Sequence, residues 1–438
     1  MNKMKKLFLT FGLFAMVGGT AIAQTNGSNS PYSRYGFGLL SDRAQGFNKG
    51  MAGVSYGMRN GKELNVKNPA SYSSIDSLSF LFDIGLSLQN ANLDQGGRTV
   101  NAKNAAVDYL SMGFRVAPNL GLSLGIMPFS TIGYNLNNTE KITLPSGVIS
   151  QNESYVGDGG LHEVYLGAGW RPAKPFSFGL NLSYLWGTTT HTVLAAFSDA
   201  TIASRRRQYE ADIRSYKLDL GMQYELPLNA KNHVVLGLTY GLGHDIKSNG
   251  YYYDQKVQSG TIASGDTLVA KDAFQLPHSF GAGLTWSYDN RLRIGADYTY
   301  QQWADVKSPK VVEGPHGEQR YAAVTGDYLN LHKINVGAEY YPNPDGVRWR
   351  QHVRYRAGFS YTSPYTKVNG QDGPCSYLVS LGVALPIINR YNNRSLLNIS
   401  AQYERIEPKY AGMITENYLR VCVGITFNER WFMKWKVN

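Results

Sequence analysis

From Leu78 onward, apolar and polar residues alternate with a period of two, the pattern of a strand with one apolar face. In residues 78–89, Leu78, Phe80, Phe82, Ile84, Leu86 and Leu88 fall on one face, and Gly, Ser, Gln and Asp collect on the other. The pattern recurs at 105–116, 120–127, 161–170, 176–187, 212–226, 234–246, 279–288, 291–302, 328–341, 353–363, 376–386, 395–406 and 416–427, which predicts fourteen strands. A soluble sandwich also alternates, so three further features decide the class. Connections after odd-numbered strands are mostly long (90–104, 128–160, 188–211, 247–278, 303–327), and several even ones are short turns such as Ala117-Pro118-Asn119 and Asp289-Asn290. That asymmetry belongs to outer-membrane barrels. Outward-phased aromatics gather near strand ends, with Tyr184, Trp186, Tyr216, Tyr240, Tyr298, Tyr300, Tyr361 and Tyr403 toward one rim. Trp170, Tyr224, Trp286, Tyr288 and Tyr340 lie toward the other, as two headgroup-level girdles require. The last strand carries Leu419, Val421, Val423, Ile425 and Phe427 on one face.

Strands that cross lipid must satisfy every backbone group, and only closure does so. The expected fold is therefore all-β: a 14-stranded antiparallel transmembrane outer-membrane β-barrel over 78–427, short turns facing the periplasm. Residues 428–438 are expected to form a short periplasmic extension, so both termini lie on that side. The apolar run Leu7–Ala23 follows Lys3, Lys5 and Lys6 and ends in small residues, and it reads as a cleaved signal peptide, 1–23. A mean hydropathy of −0.31 speaks against a helical membrane bundle.

The formal charge is +11, and three of the lysines lie in the leader. An exported chain has little access to nucleic acid, so outer-membrane lipid and lipopolysaccharide are the expected anionic partners, with Arg205-Arg206-Arg207 as one candidate contact. Cys375 and Cys422 are too few for a disulfide framework and read best as two small thiols, buried or in loops, with a bridge as the less favoured alternative. The eight His are scattered without metal-ligand spacing, and no nucleophile elbow occurs, so no enzyme, metal or cofactor is expected.

Residues 24–77 do not alternate and are rich in Gly, Ser and Asn. A disordered tail would not need Tyr32, Tyr35, Phe37, Leu39, Leu40 and Met51, and a fourteen-strand barrel has a lumen wide enough to be plugged. The segment is therefore expected to be an N-terminal lumenal hatch. Lumen-phased charges are nearly balanced: Asp83, Glu163, Asp219, Asp297, Glu339 and Glu404 against Arg115, Lys217, Arg293, Lys333, Arg354, Arg356 and Arg420. Such a wall suits ion pairs that hold a plug, or charges that simply sit in water.

Gly46-Phe47-Asn48-Lys49-Gly50-Met51-Ala52-Gly53 and then Asn68-Pro69-Ala70 resemble the hatch of the FadL/TodX-type hydrophobic-compound transporters. Leu276-Pro277-His278-Ser279, Asp297 with Trp303, Arg356-Ala357-Gly358 and Ser363-Pro364 are similar to that family's later motifs, as in a distant branch. The resemblance implies passive uptake of a hydrophobic small molecule, fatty-acid-like or aromatic. It implies a hatch motif at Gly50, Gly53, Asn68, Pro69 and Ala70. It also implies a lateral wall opening in the third strand, here at Met127-Pro128-Phe129. Tyr35, Phe37, Leu39 and Leu40 are the pocket candidates, or plain plug packing. The alternative is a non-transporting structural subunit of an outer-membrane protein complex such as assembly machinery, with the Trp-rich tail 428–438 as its docking element.

Overall fold

The computed structural model describes residues 28–144, 147–199, 201–258, 260–387 and 395–430. The signal-peptide reading falls outside them. Fourteen long strands form the wall: β1 (Ser79–Gln95), β2 (Arg98–Ala117), β3 (Leu120–Leu144), β4 (Gly147–Ala173), β5 (Phe176–Phe197), β6 (Ser204–Pro227) and β7 (Asn232–Gly241) make the first half. The second half is β8 (Ser279–Tyr288), β9 (Leu292–Gln301), β10 (Leu331–Tyr340), β11 (Arg354–Thr362), β12 (Cys375–Ile387), β13 (Ser395–Glu407) and β14 (Thr415–Arg430). Each pairs antiparallel with its sequence neighbour, and β14 returns to β1 from Ser79 opposite Arg430 to Asp94 opposite Thr415, which closes the barrel.

The alternation sets the facing. Leu86, Leu88, Leu166, Leu182, Leu238 and Leu381 point outward and are exposed, as a lipid-facing band requires, while Leu81, Asp83 and Ser111 on the other phase are buried in the lumen. The aromatic rims arise from cross-strand neighbours. Tyr184 faces Tyr216 toward one end, and Phe280 lies between Tyr240 and Tyr300. Tyr340 faces Tyr355, and Phe176 faces Tyr224, at the short-turn end.

Two expectations need correction. Residues 90–104 and 128–160 are not loops: β1–β2 and β3–β4 continue as hairpins well beyond the apolar band, and 250–258 with 261–270 forms another hairpin that extends the sheet beside β6. Alternation reports which face is buried in lipid, so it vanishes where both faces of a strand are polar. At the other end β14 runs on to Arg430, with Asn428 and Glu429 opposite Leu81 and Phe80, so 428–430 belong to the wall; the rest of the expected extension, 431–438, lies outside the described residues. Cys375 and Cys422 are both buried and free.

Candidate functional site

The N-terminal segment lies inside this ring, and its backbone touches the wall where the wall has no side chains. A Cβ on Gly237 of β7 would stand 1.9 Å from the Tyr56 carbonyl oxygen, and one on Gly358 of β11 would stand 2.3 Å from the Met51 carbonyl carbon. Gly179 of β5 and Gly121 of β3 meet Pro69 and Tyr72 in the same way. These glycines sit on the lumen phase of their strands, where a side chain would exclude the segment.

Charges then fix the register. Glu63 accepts from Arg354 at 2.8 Å and from Arg356 at 2.9 Å. Arg356 also donates to Glu339 at 2.7 Å and to Asn398 at 2.6 Å, and Glu339 pairs with Arg293 at 3.2 Å. Arg356, Glu63 and Glu339 are almost wholly buried, so none of these charges could remain without the others. Arg43 reaches Glu163 at 2.6 Å and Asp219 at 3.1 Å; burial disfavours its charge, but the two carboxylates outweigh this and hold the guanidinium firmly protonated. Asp42 pairs with Lys333 at 2.6 Å, and Lys49 with Asp108 at 2.5 Å. Asp297 accepts from the backbone N–H groups of Ser55 (2.5 Å) and Tyr56 (2.9 Å). Much of the wall's balanced charge is therefore spent on the segment.

The Asn-Pro-Ala motif has a local cause. Asn68 caps the helical turn Pro69–Ser74: its Oδ1 accepts from Ala70 N at 3.2 Å, and Pro69 takes the first position, where no N–H is needed. Its Nδ2 donates to the carbonyls of Tyr56 (2.8 Å) and Met222 (3.2 Å), which ties the turn to the segment and to β6. Asn68→Ala is expected to cost about 2–3 kcal/mol, from one cap and two backbone-directed bonds, read as a lower unfolding midpoint in detergent. Gly50 lies against Arg356 and Gly382, and Gly53 holds a φ of +86° in the turn after the short helix Gly46–Lys49.

At β3 the wall comes apart. The β2–β3 ladder ends at Leu110 opposite Ile126. Beyond that level β2 keeps only β1, while β3 keeps only β4 and the two-residue strand Leu39–Leu40, whose partners are Thr131 and Ser130. Pro128 lacks an N–H, the β3–β4 register shifts between Pro128 and Ser130, and Phe129 is the extra residue. The bend continues sideways through Gly159 and Gly160 of β4, both at positive φ. The segment spans the gap: Asn29 donates to Asn104 of β2 at 3.0 Å, Ser41 N to the Phe129 carbonyl at 2.9 Å, and Gly133 N to Ser33 Oγ at 3.2 Å. Ile126 stands level with Val164 and Tyr184, so the seam opens at one aromatic rim.

The four pocket candidates do not share one pocket. Phe37 is fully buried against Trp303 (5.7 Å between rings) and Phe274 (6.0 Å), with Leu40 and Phe129 at the edge of that cluster. Tyr35 and Leu39 belong to a separate cluster around Tyr32, Ile406 and Tyr418. Met127 faces the lumen and packs with Tyr72, Tyr109 and Tyr165, away from Phe129. Tyr252 joins Tyr209 and Tyr321 at the edge of the Phe37 cluster, and Arg205 is taken up by Asp254 at 2.8 Å. The sequence reading missed Asp42, Arg43, Lys49 and Glu63. Charged residues in a segment expected to lie inside a lumen were the available signal.

A family model described as BamG matches residues 3–438, nearly the whole sequence. The chain belongs to the BamG family. No curated protein matches it by sequence. Among solved structures, this BamG-family chain is similar to the CymD monoaromatic hydrocarbon channel: TM-score 0.59 and 15% identity, over 91% of this chain and 100% of that one. It is likewise similar to the toluene transporter TbuX of Ralstonia pickettii, with TM-score 0.59 and 13% identity over 90% and 100% of the two chains. A FadL homologue of Pseudomonas aeruginosa aligns with TM-score 0.56 and 14% identity over 88% and 97%. At such identities the likeness is one of fold, and the FadL/TodX resemblance holds at that level. Of the positions that carried it, Asn68, Asp297, Arg356 and Gly358 lie where the BamG-family wall and its N-terminal segment touch.

Proposed function

We propose that this BamG-family barrel gives a hydrophobic small molecule a passive route across the outer membrane, by way of the seam between β2 and β3. Residues 24–77 act as the hatch, and only 28–41 need move. The observation that carries this reading is the substitution of Leu39–Leu40 for β2 along β3 at the Pro128 bulge. Two bridge residues, hydrogen bonds such as Ser30 to Glu416 at 2.7 Å and the packing of Phe37 hold that stretch, with no ion pair among the described residues, whereas buried ion pairs hold 42–77. An apolar molecule entering at the aromatic rim would meet Phe37, Phe129 and Trp303, which favours a small aromatic hydrocarbon, the class named for the CymD and TbuX channels. The short turns then face the periplasm.

Opposed antiparallel residues lie about 4.5–5.5 Å apart, within disulfide reach. A Leu40→Cys, Ser130→Cys pair, oxidised, is expected to cut uptake of a radiolabelled aromatic hydrocarbon by expressing cells to the level of cells without the barrel. Reduction should restore it. Equal uptake in both states would sink the reading.

The clamp on residues 42–77 favours a second reading, a barrel that stays shut as a fixed member of an outer-membrane protein complex. On that reading the cross-link leaves uptake unchanged, and the barrel purifies from native membranes with another membrane protein in fixed ratio.

A further inference from the structure

The short-turn end holds a feature that neither reading uses. A cavity of about 570 Å³ opens there between the N-terminal segment and the short-turn ends of strands from both halves of the wall. Five cations line it: Arg59 of the segment, Arg115 of β2, Arg171 of β4, Lys174 of the β4–β5 turn and Arg293 of β9. One carboxylate, Glu225 of β6, lies among them.

The charges do not cancel. Glu225 binds Arg171 at 2.7 Å and stands 3.9 Å from Arg59, and Arg293 is engaged by Glu339 at 3.2 Å. Five cations against those two acids leave three positive charges in excess. Arg115 donates to the carbonyls of Ala117 (3.1 Å) and Pro118, which neutralise nothing. Lys174 is exposed and makes no ion pair among the described residues. Arg59, with only 9% of its side chain exposed, is held by neutral acceptors: Ser177 at 2.9 Å, Ser73 at 3.1 Å and Gln223 at 3.3 Å. Burial, with the like charge of Arg171 beside it, pulls its pKa down to about 10. An arriving anion would relieve that repulsion.

Three observations narrow the anion. A carboxylate, that of Glu225, is already bound here, by a charge-assisted hydrogen bond from Arg171 with Arg59 nearby. The cavity is far larger than a single inorganic anion needs. Its lining comes from the segment, the lumen phase of the strands and the turns, so a lipid headgroup outside the wall does not reach it.

We propose that this mouth is a docking site for an acidic peptide segment of a periplasmic protein, whose carboxylates meet Lys174, Arg115 and Arg171. The site is independent of whether hydrophobic molecules cross the barrel.

The test uses the full chain in detergent and a fluorescein-labelled hexaglutamate peptide, read by anisotropy. Saturable binding that weakens as salt rises is expected. The double variant Lys174→Glu, Arg115→Glu should bind about tenfold more weakly or worse. Lys103→Glu, at the opposite end of the barrel, should bind as the parent does. Glu225→Gln removes the resident competitor and should bind several-fold more tightly, and this arm decides the matter even if the double variant fails to fold. No saturable binding, or equal binding by the parent, the double variant and Glu225→Gln, would overturn the proposal. So would inorganic phosphate that displaces the peptide at matching concentration, which would mark a simple anion site. Displacement by anionic phospholipid vesicles at matching lipid concentration would assign the charge to lipid and overturn it as well.

Discussion

Arg356→Met is expected to cost the folded barrel about 3–5 kcal/mol, the penalty for removing one member of a buried ion cluster. The guanidinium stands between Glu63 of the N-terminal segment and Glu339 of β10, and a third donor reaches Asn398. Met fills a similar volume but leaves two buried carboxylates facing each other with only Arg354 and Arg293 nearby. The segment should let go before the wall does. The expected readouts are a lower denaturant midpoint in detergent and new protease cuts within 28–77, while the heat-modifiable band of the closed barrel persists. The double variant Glu63→Gln, Arg356→Met should recover part of the loss, because one of the orphaned charges is gone. An unchanged midpoint and unchanged protease pattern in the single variant would refute the clamp.

Gly237→Leu is expected to displace the Ser55–Gly57 stretch from the wall. Its Cβ would fall 1.9 Å from the Tyr56 carbonyl oxygen and 2.8 Å from Gly57 N, both backbone atoms that cannot swing away. Overpacking of this kind costs about 1–3 kcal/mol. Displacement also takes the N–H groups of Ser55 and Tyr56 from the Asp297 carboxylate, at about 1.5–3 kcal/mol for a bond to a charged group. Leu238→Phe, the next residue and lipid-facing, should be nearly neutral and serves as the control. Hydrogen exchange at 53–58 reads the difference: fast exchange in Gly237→Leu and parent-like protection in Leu238→Phe. Parent-like protection in both would mean that the glycines are not seats for the segment.

The wall was legible in the sequence because lipid imposes a period. Each of the fourteen apolar-faced segments became a strand, and Leu86 and Leu238 point where their phase put them. The hairpins above the band were illegible for the same reason: Asn90, Asn92 and Asn101 bond across β1–β2 in water, where neither face is selected for apolarity. In residues 28–77 no period exists, so nothing local tells which way Asp42, Arg43 or Glu63 points. Their partners lie far along the chain, 291 residues away for Lys333 and Arg354. The lumen-phased wall charges could be read, but not the side chains they meet. The irregularity at Met127-Pro128-Phe129 had two signals, the family resemblance and a proline that removes a ladder N–H. That Leu39–Leu40 would take the place of β2 beside it had none, since two residues carry no alternation.

The closing ladder joins the first wall strand to the last, and the segment inside touches strands from both halves, Gly121 of β3 on one side and Gly358 of β11 on the other. Backbone seated this close to backbone leaves no slack for a finished barrel to be stuffed through its mouth. A segment seated in this way is expected to be enclosed as the wall closes rather than threaded in afterwards, so a barrel of 78–438 refolded without 28–77 should not regain the lumen contacts when that segment is added back as a separate peptide.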